Sequence, residues 1–194
     1  MRLCSRCAIT PLIFSLALTG FLITNPLPAQ AQAKPALTRR IDVQAGGSFD
    51  FASPDYGSNH LYGFGAYATA DFTPRLGMEL SFHQLFDPNS KTGIYERTYE
   101  VGPRYVFHLG RISPYAKFLV GRGVFQFPPD PRHPQSGPVA NLAFTIWTPG
   151  IGTDFRINDS LNFRADYEFQ QWPAFPPHGL TPRVFSIGIA YHFR

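Results

Sequence analysis

Residues 181–194 read TPRVFSIGIAYHFR. Phe185, Ile187, Ile189, Tyr191 and Phe193 fall on one parity; Val184, Ser186, Gly188, Ala190 and His192 fall on the other. One face is large and apolar, the other small or polar. That period of two belongs to an extended strand with two unlike faces. A long strand at the end of a chain leaves an open edge unless another strand covers it. Pairing with the first strand would close a barrel.

Seven upstream stretches alternate in the same way, over about 40–51, 61–72, 76–86, 94–107, 112–125, 141–156 and 161–170. In the third, Leu76, Met78, Leu80 and Phe82 oppose Gly77, Glu79, Ser81 and His83. In the seventh, Leu161, Phe163, Ala165, Tyr167 and Phe169 oppose Asn162, Arg164, Asp166, Glu168 and Gln170. The sixth changes parity. Leu142, Phe144 and Ile146 are even, whereas Ile151 and Phe155 are odd, and a bulge near residues 147–150 is the expected reconciliation. The connections alternate long and short: 52–60, 73–75, 87–93, 108–111, 126–140, 158–160 and 171–180. That rhythm predicts an all-β fold, an eight-stranded antiparallel up-and-down barrel with short turns at one end and longer loops at the other.

The start of the chain carries an export signal. Arg2 and Arg6 precede an apolar run over 8–24, followed by the small-residue track Ala29-Gln30-Ala31-Gln32-Ala33. This predicts a signal peptide over 1–33, cleaved after Ala31 or Ala33, a lead over 34–39 and a single barrel domain over 40–194. Both cysteines, Cys4 and Cys7, lie in the signal. The exported chain then has no thiol for a disulfide, a nucleophile or a metal. Cleavage also removes Arg2 and Arg6, so the formal charge falls from +4 to +2. A nucleic-acid partner is not expected from so small an excess.

Alternation alone does not say which face is inside. A soluble barrel buries its apolar face and a membrane barrel reverses the arrangement. The apolar face carries Phe49, Tyr62, Phe64, Phe82, Tyr95, Tyr99, Phe125, Tyr167, Phe169 and Phe185 near the long-loop end. Near the short-turn end it carries Phe72, Tyr105, Phe107, Phe155, Phe163, Tyr191 and Phe193. Aliphatic residues such as Ala66, Leu80, Val101 and Ile187 lie between. Two aromatic girdles around an aliphatic belt match a bilayer and its two interfaces. The polar face then points inward. It predicts an interior ion-pair network of Glu79, Glu96, Glu100, Arg104, Lys117, Asp154, Arg156, Arg164, Asp166 and Glu168. Eight strands leave room for side chains alone, so charges there must pair or stay hydrated.

The segments YEVGPRYVF (99–107), ISPYAKFLVGRG (112–123), LNFRADYEFQ (161–170) and the aromatic-ended FSIGIAYHF (185–193) resemble the small outer-membrane β-barrel proteins of the OmpA, OmpX and OmpW kind. The resemblance covers about residues 40–194. It implies the outer membrane of a Gram-negative bacterium, with both barrel ends in the periplasm. It also implies contact with outer-membrane lipids and lipopolysaccharide, and with the insertion machinery during assembly. Two departures are visible: Arg194 follows the terminal aromatic Phe193, and no peptidoglycan-binding segment follows the barrel.

Functional candidates are few. Arg97, Arg122 and Arg183 share the lipid-facing parity near the long-loop end, where their guanidinium groups could meet lipopolysaccharide phosphates. Trp172 and Phe175 in loop 171–180, together with the proline-rich loop 126–140, are candidate anchors for a surface partner. The alternative for these loops is packing over the barrel mouth or residence at the lipid interface. No two histidines show ligand spacing along one element, so neither a metal site nor a cofactor is expected. His83 and Ser81 share a parity, as a lipid-A-modifying enzyme would need, but that face points inward. No phosphate-binding loop, dinucleotide fingerprint or acyl-transfer motif is present. The expected role is structural or surface-interacting and non-enzymatic, with a lipid-modifying enzyme or a narrow solute channel as alternatives.

Overall fold

The computed structural model describes residues 41–55, 60–89, 93–127, 132 and 140–193. These belong to a compact unit spanning Arg39–Arg194. The expected signal peptide, the lead segment and nearly all of loop 126–140, His133 included, lie outside the described residues.

Eight strands form one closed antiparallel barrel in chain order. They are β1 (Asp42–Ser53), β2 (Leu61–Asp71), β3 (Leu76–Phe86), β4 (Tyr95–Val106), β5 (Ile112–Gln126), β6 (Asn141–Arg156), β7 (Leu161–Phe169) and β8 (Arg183–Phe193). β8 pairs with β1 through Phe49↔Ile187 and Phe51↔Phe185, so the last strand closes the sheet on the first. Strand lengths run from 9 residues in β7 to 16 in β6, against the ~9–11 needed to cross a bilayer at a tilt.

Short turns occupy one end, and local chemistry sets them. Thr73 Oγ1 accepts hydrogen bonds from the backbone N–H groups of Arg75 and Leu76, at 3.3 and 2.8 Å. Asn158 Oδ1 accepts from Ser160 and Leu161, at 2.9 and 2.8 Å. Such side chains stand in for a backbone acceptor and fix a tight reversal. Between β4 and β5 the turn uses Gly110 at φ +71°, a left-handed conformation that glycine adopts without steric cost.

The barrel is apolar outside and charged inside. Leu80 and Ile151 are 59% and 60% exposed, whereas Glu79 and Arg104 are each 1% exposed. No water-soluble packing accounts for that inversion, because a buried charge costs several kcal/mol (about that per ion) and an exposed apolar belt gains nothing in water. A hydrocarbon surround removes the contradiction. Aromatic neighbours line the exterior near both ends, with Phe82–Tyr99 centroids 5.2 Å apart towards the loops and Tyr191–Phe193 5.0 Å apart towards the turns.

Two expectations need correction. β6 has no bulge. It pairs with β5 in one unbroken register from Ile112↔Phe155 to Gln126↔Asn141. Its even residues face inward throughout, so Ile146 is buried while Trp147 is exposed. Phe125 is not part of the outer girdle. It shares the inward parity of Gly121 and Gly123 and is 3% exposed. Both corrections have one cause: the mouth of the lumen at the long-loop end is lined by apolar residues.

Candidate functional site

The interior has three levels, set by where each residue falls along its strand. In the half nearer the turns, β3, β4, β5, β6 and β7 bring Glu79, Arg104, Lys117, Asp154, Arg164 and Asp166 together. Glu79 is the hub. Its Oε1 accepts from Lys117 Nζ at 2.7 Å, and its Oε2 from Arg164 Nη1 at 3.0 Å. Arg164 also holds Asp154 with two parallel bonds, Nε to Oδ1 at 2.7 Å and Nη2 to Oδ2 at 3.1 Å. Such fork-on-carboxylate pairs fix geometry as well as charge. Arg104 Nη2 donates to the same Asp154 Oδ2 at 3.0 Å. Lys117 also contacts Asp166, and it lies 2.7 Å from Glu168 Oε1. Tyr67 presents its ring to Arg164 at 4.0 Å, and Tyr115 to Arg104 at 4.6 Å. These contacts lower the cost of burying guanidinium groups.

The half nearer the loops holds Asp50, His83, Glu96, Glu100 and Glu168, all buried. His83 Nδ1 is 2.8 Å from Asp50 Oδ2. Its Nε2 is 2.9 Å from Ser81 Oγ and 3.3 Å from Glu168 Oε2. Asp50 Oδ1 accepts from Ser48 Oγ at 2.7 Å. Glu100 Oε1 accepts from Gln170 Nε2 at 3.3 Å. Glu96 has no hydrogen-bond partner at either carboxylate oxygen.

Above this layer the loop between β7 and β8 folds into the mouth. Gln171 pairs with Trp147 of β6, and Trp172 with Leu180, by reciprocal backbone bonds of 2.8–3.2 Å. Trp172 is fully buried and Phe175 is 8% exposed; they pack with Phe125, Ile146 and Leu180. Phe175 lies 5.1 Å from both Phe125 and Phe144, and 5.6 Å from Phe127. Gly123 makes room for the indole, since a Cβ there would lie 2.2 Å from it. Trp172 Nε1 donates to Gln170 Oε1 at 3.2 Å. The plug is thereby tied to Gln170 and Glu100 below it.

Several expected site residues therefore sit elsewhere than the sequence suggested. Trp172 and Phe175 are not exposed anchors; the alternative, packing over the mouth, is what is found, because the lumen-facing Phe125, Phe144 and Ile146 need apolar partners. Arg156 faces inward by parity but lies exposed at the turn end, outside the buried network. Glu96 and Glu100 are buried, yet neither touches a cation. Arg97 and Arg122 are diagonal neighbours on β4 and β5, since Arg97 opposes Val124 and Arg122 opposes Tyr99. Arg183 is three strands away on β8, opposite Phe169 and Ser53. The Asp50–His83 contact joins residues 33 apart. Only their shared inward parity hinted at it. The plug had a readable signal, the inward parity of Phe125 and of the even apolar residues at the start of β6.

Comparison with known proteins agrees with this architecture. No curated protein matches the chain in sequence. Among solved structures, neisserial surface protein A superposes with a TM-score of 0.62 at 14% identity, covering 79% of this chain and 97% of its own. OprG of Pseudomonas aeruginosa gives 0.62 at 18% identity, covering 80% and 97%. Ail, the attachment invasion locus protein of Yersinia pestis, gives 0.52 at 18% identity, covering 79% and 97%. These likenesses concern the fold. The profile described as "outer membrane protein beta-barrel domain" matches residues 14–193. By that match the chain belongs to the outer-membrane β-barrel family, whose members reside in the outer membrane of Gram-negative bacteria.

Proposed function

We propose that this barrel is a non-conducting, non-enzymatic membrane anchor whose interactions take place at its long-loop end. The observation that carries this reading is the closed interior: a buried salt-bridge network below and the Trp172–Phe175 plug above. A filled lumen of eight strands transports nothing by itself, which leaves the rim and loops as the working surface. The start of β1 at Asp42 and the end of β8 at Phe193 lie at the turn end, which we assign to the periplasm, with the long loops outside. The exposed aromatic Phe193 at the end of β8 suits recognition by the insertion machinery. Loops 126–140 and 171–180 remain candidates for a surface partner, with Trp172 and Phe175 shaping the second loop from within rather than touching the partner.

Lipopolysaccharide is the partner class that the rim favours. Arg97, Arg122 and Arg183 stand on the lipid-facing parity close to the loops, where a cation costs little and a phosphate can meet it. Charge reversal of all three to glutamate tests the assignment. Lipopolysaccharide co-purifying with the barrel is expected to fall; unchanged retention rules the contact out.

Ser81, His83 and Asp50 form the spacing of a nucleophile, a base and an orienting acid, and this arrangement favours a second, enzymatic reading. The reading is weak because Ser81 is 4% exposed and faces the lumen, away from any lipid acyl group. Treatment with a fluorophosphonate probe separates the two. No labelling at Ser81 is expected; labelling abolished by Ser81→Ala would establish the enzyme.

A further inference from the structure

Two groups of three ligands each lie close enough to hold an ion, and they differ in what fills them. The ligand atoms of Glu79, Asp166 and Glu168 lie within 4.8 Å of one another, and Lys117 occupies that group, contacting all three carboxylates. The ligand atoms of His83, Glu100 and Glu168 are equally close; Lys117 holds Glu168 from the other side, and among the described residues no lysine or arginine pairs with Glu100. Ligands about 2.0–2.2 Å from a common metal stand roughly 3–4.5 Å apart, so the second group has the dimensions of a coordination shell.

We propose that this second group is a divalent transition-metal site, with His83 Nε2, Glu100 and Glu168 as protein ligands beneath the Trp172 plug. Charge is the first argument. In the turn-end half, Asp71, Glu79, Asp154 and Asp166 each reach at least one of Arg104, Lys117 and Arg164. In the loop-end half, Asp50, Glu96, Glu100 and Glu168 face His83, with Lys117 shared at the boundary. Uncompensated carboxylates at under 2% exposure are costly, and a dication offsets two of them.

The second argument is the orientation of His83. Its Nδ1 is fixed on Asp50 at 2.8 Å. With the Nδ1 proton on Asp50, the Nε2 lone pair faces the space shared with Glu168 Oε2, 3.3 Å away, and Ser81 Oγ, 2.9 Å away, so a metal there would take the place of the Ser81 hydroxyl proton. A carboxylate behind a ligating histidine is the common way to hold such a ring in place.

The third argument is Glu96. Both its oxygens lack partners while the residue is fully buried, and its charged neighbours are Glu100, His83 and Asp55. It shares the inward parity of Glu100 on β4 and adds a further uncompensated carboxylate to this layer. One imidazole with carboxylates and no thiolate suits zinc, manganese or cobalt(II) better than calcium or magnesium.

The test uses the whole barrel, refolded in detergent with Zn2+ or Co2+, freed of loose metal on a chelating column and measured by inductively coupled plasma mass spectrometry. The expected result is a stoichiometric ion retained by the wild-type protein. Glu100→Gln is expected to abolish retention. Asp50→Asn, which leaves every ligand in place, is expected to weaken it by about 10–100-fold. Heat-dependent gel mobility identifies any variant that has not folded. Metal at background in the folded wild type overturns the proposal, and so does equal retention by folded Glu100→Gln. In either case protons, not a metal, balance this layer.

Discussion

In the turn-end half of the lumen every buried carboxylate touches an arginine or lysine; in the loop-end half Glu96 and Glu100 touch none. Both halves are buried, and β3, β4 and β7 contribute to each. The difference lies in what each half rests against. The turn-end half opens towards a polar mouth lined by Asp42, Asp71, His108 and His192, and its charges form a closed, mutually satisfied set. The loop-end half lies under an aromatic plug that offers no counter-charge. Its acids depend on His83, on Lys117 at the boundary and on neutral donors such as Gln170. The comparison teaches that a filled barrel is not uniformly stable: one half is held by pairing, the other is covered.

The comparison breaks most visibly at Arg164. This side chain holds Asp154 at two points, reaches Glu79 and packs on Tyr67. Arg164→Met keeps much of the volume and takes one partner from each of two carboxylates, leaving Asp154 to Arg104 and Glu79 to Lys117. Removing one partner of a buried pair costs about 3–5 kcal/mol, and here two pairs are lost. Urea unfolding of the refolded barrel in detergent should show a loss at the upper end of that range. A loss under about 1 kcal/mol would mean that the network is hydrated and the halves are not distinct.

The plug is the next largest lever. Trp172→Ala removes the indole seated against Gly123 and Phe144. A buried tryptophan cut to alanine costs about 3–5 kcal/mol where the site cannot collapse. At a mouth beside water the cavity can fill, so the lower end is expected. The sharper readout is electrical. In planar bilayers the wild type should show no steps, whereas Trp172→Ala should show brief openings as water reaches the acid layer. Silence from both would place the seal in the ion-pair layer instead.

How far these two halves were legible in the sequence follows from what each one uses. Strand positions were readable because alternation is a local property: β3 and β6 begin and end where the parity pattern predicts. The inward direction of Glu79, Arg104, Lys117 and Arg164 was readable for the same reason, once the aromatic girdles had set the faces. Partner identity was not readable. Arg164 meets Glu79 across 85 residues and His83 meets Asp50 across 33, and such pairings depend on strand tilt and register around a closed sheet. Packing of loop 171–180 over the mouth was one of the readings the sequence left open, but its strand partners were misplaced because an apolar residue on the inward parity looked like a break in the strand. Phe125, Phe144 and Ile146 are regular strand residues facing an apolar part of the lumen. A rule that assigns each face one polarity along its full length fails where a loop enters the barrel. Arg156 shows the opposite limit: its parity is inward, but the strand ends before the side chain is covered.

The smallest expected effect is the most discriminating. Glu79→Gln and Glu96→Gln make the same chemical change, a charge removed with shape retained, in the two halves of one lumen. In the turn-end half the change leaves Lys117 and Arg164 short of an acceptor, and a loss of about 3 kcal/mol is expected. In the loop-end half it removes a charge that has no partner. The neutral amide carries none of the desolvation cost of the carboxylate. Metal-free Glu96→Gln should therefore unfold at the wild-type urea concentration, or be more stable by about 1 kcal/mol. Equal losses from the two substitutions would show that Glu96 is paired after all, and the distinction between a paired half and a covered half would fall with it.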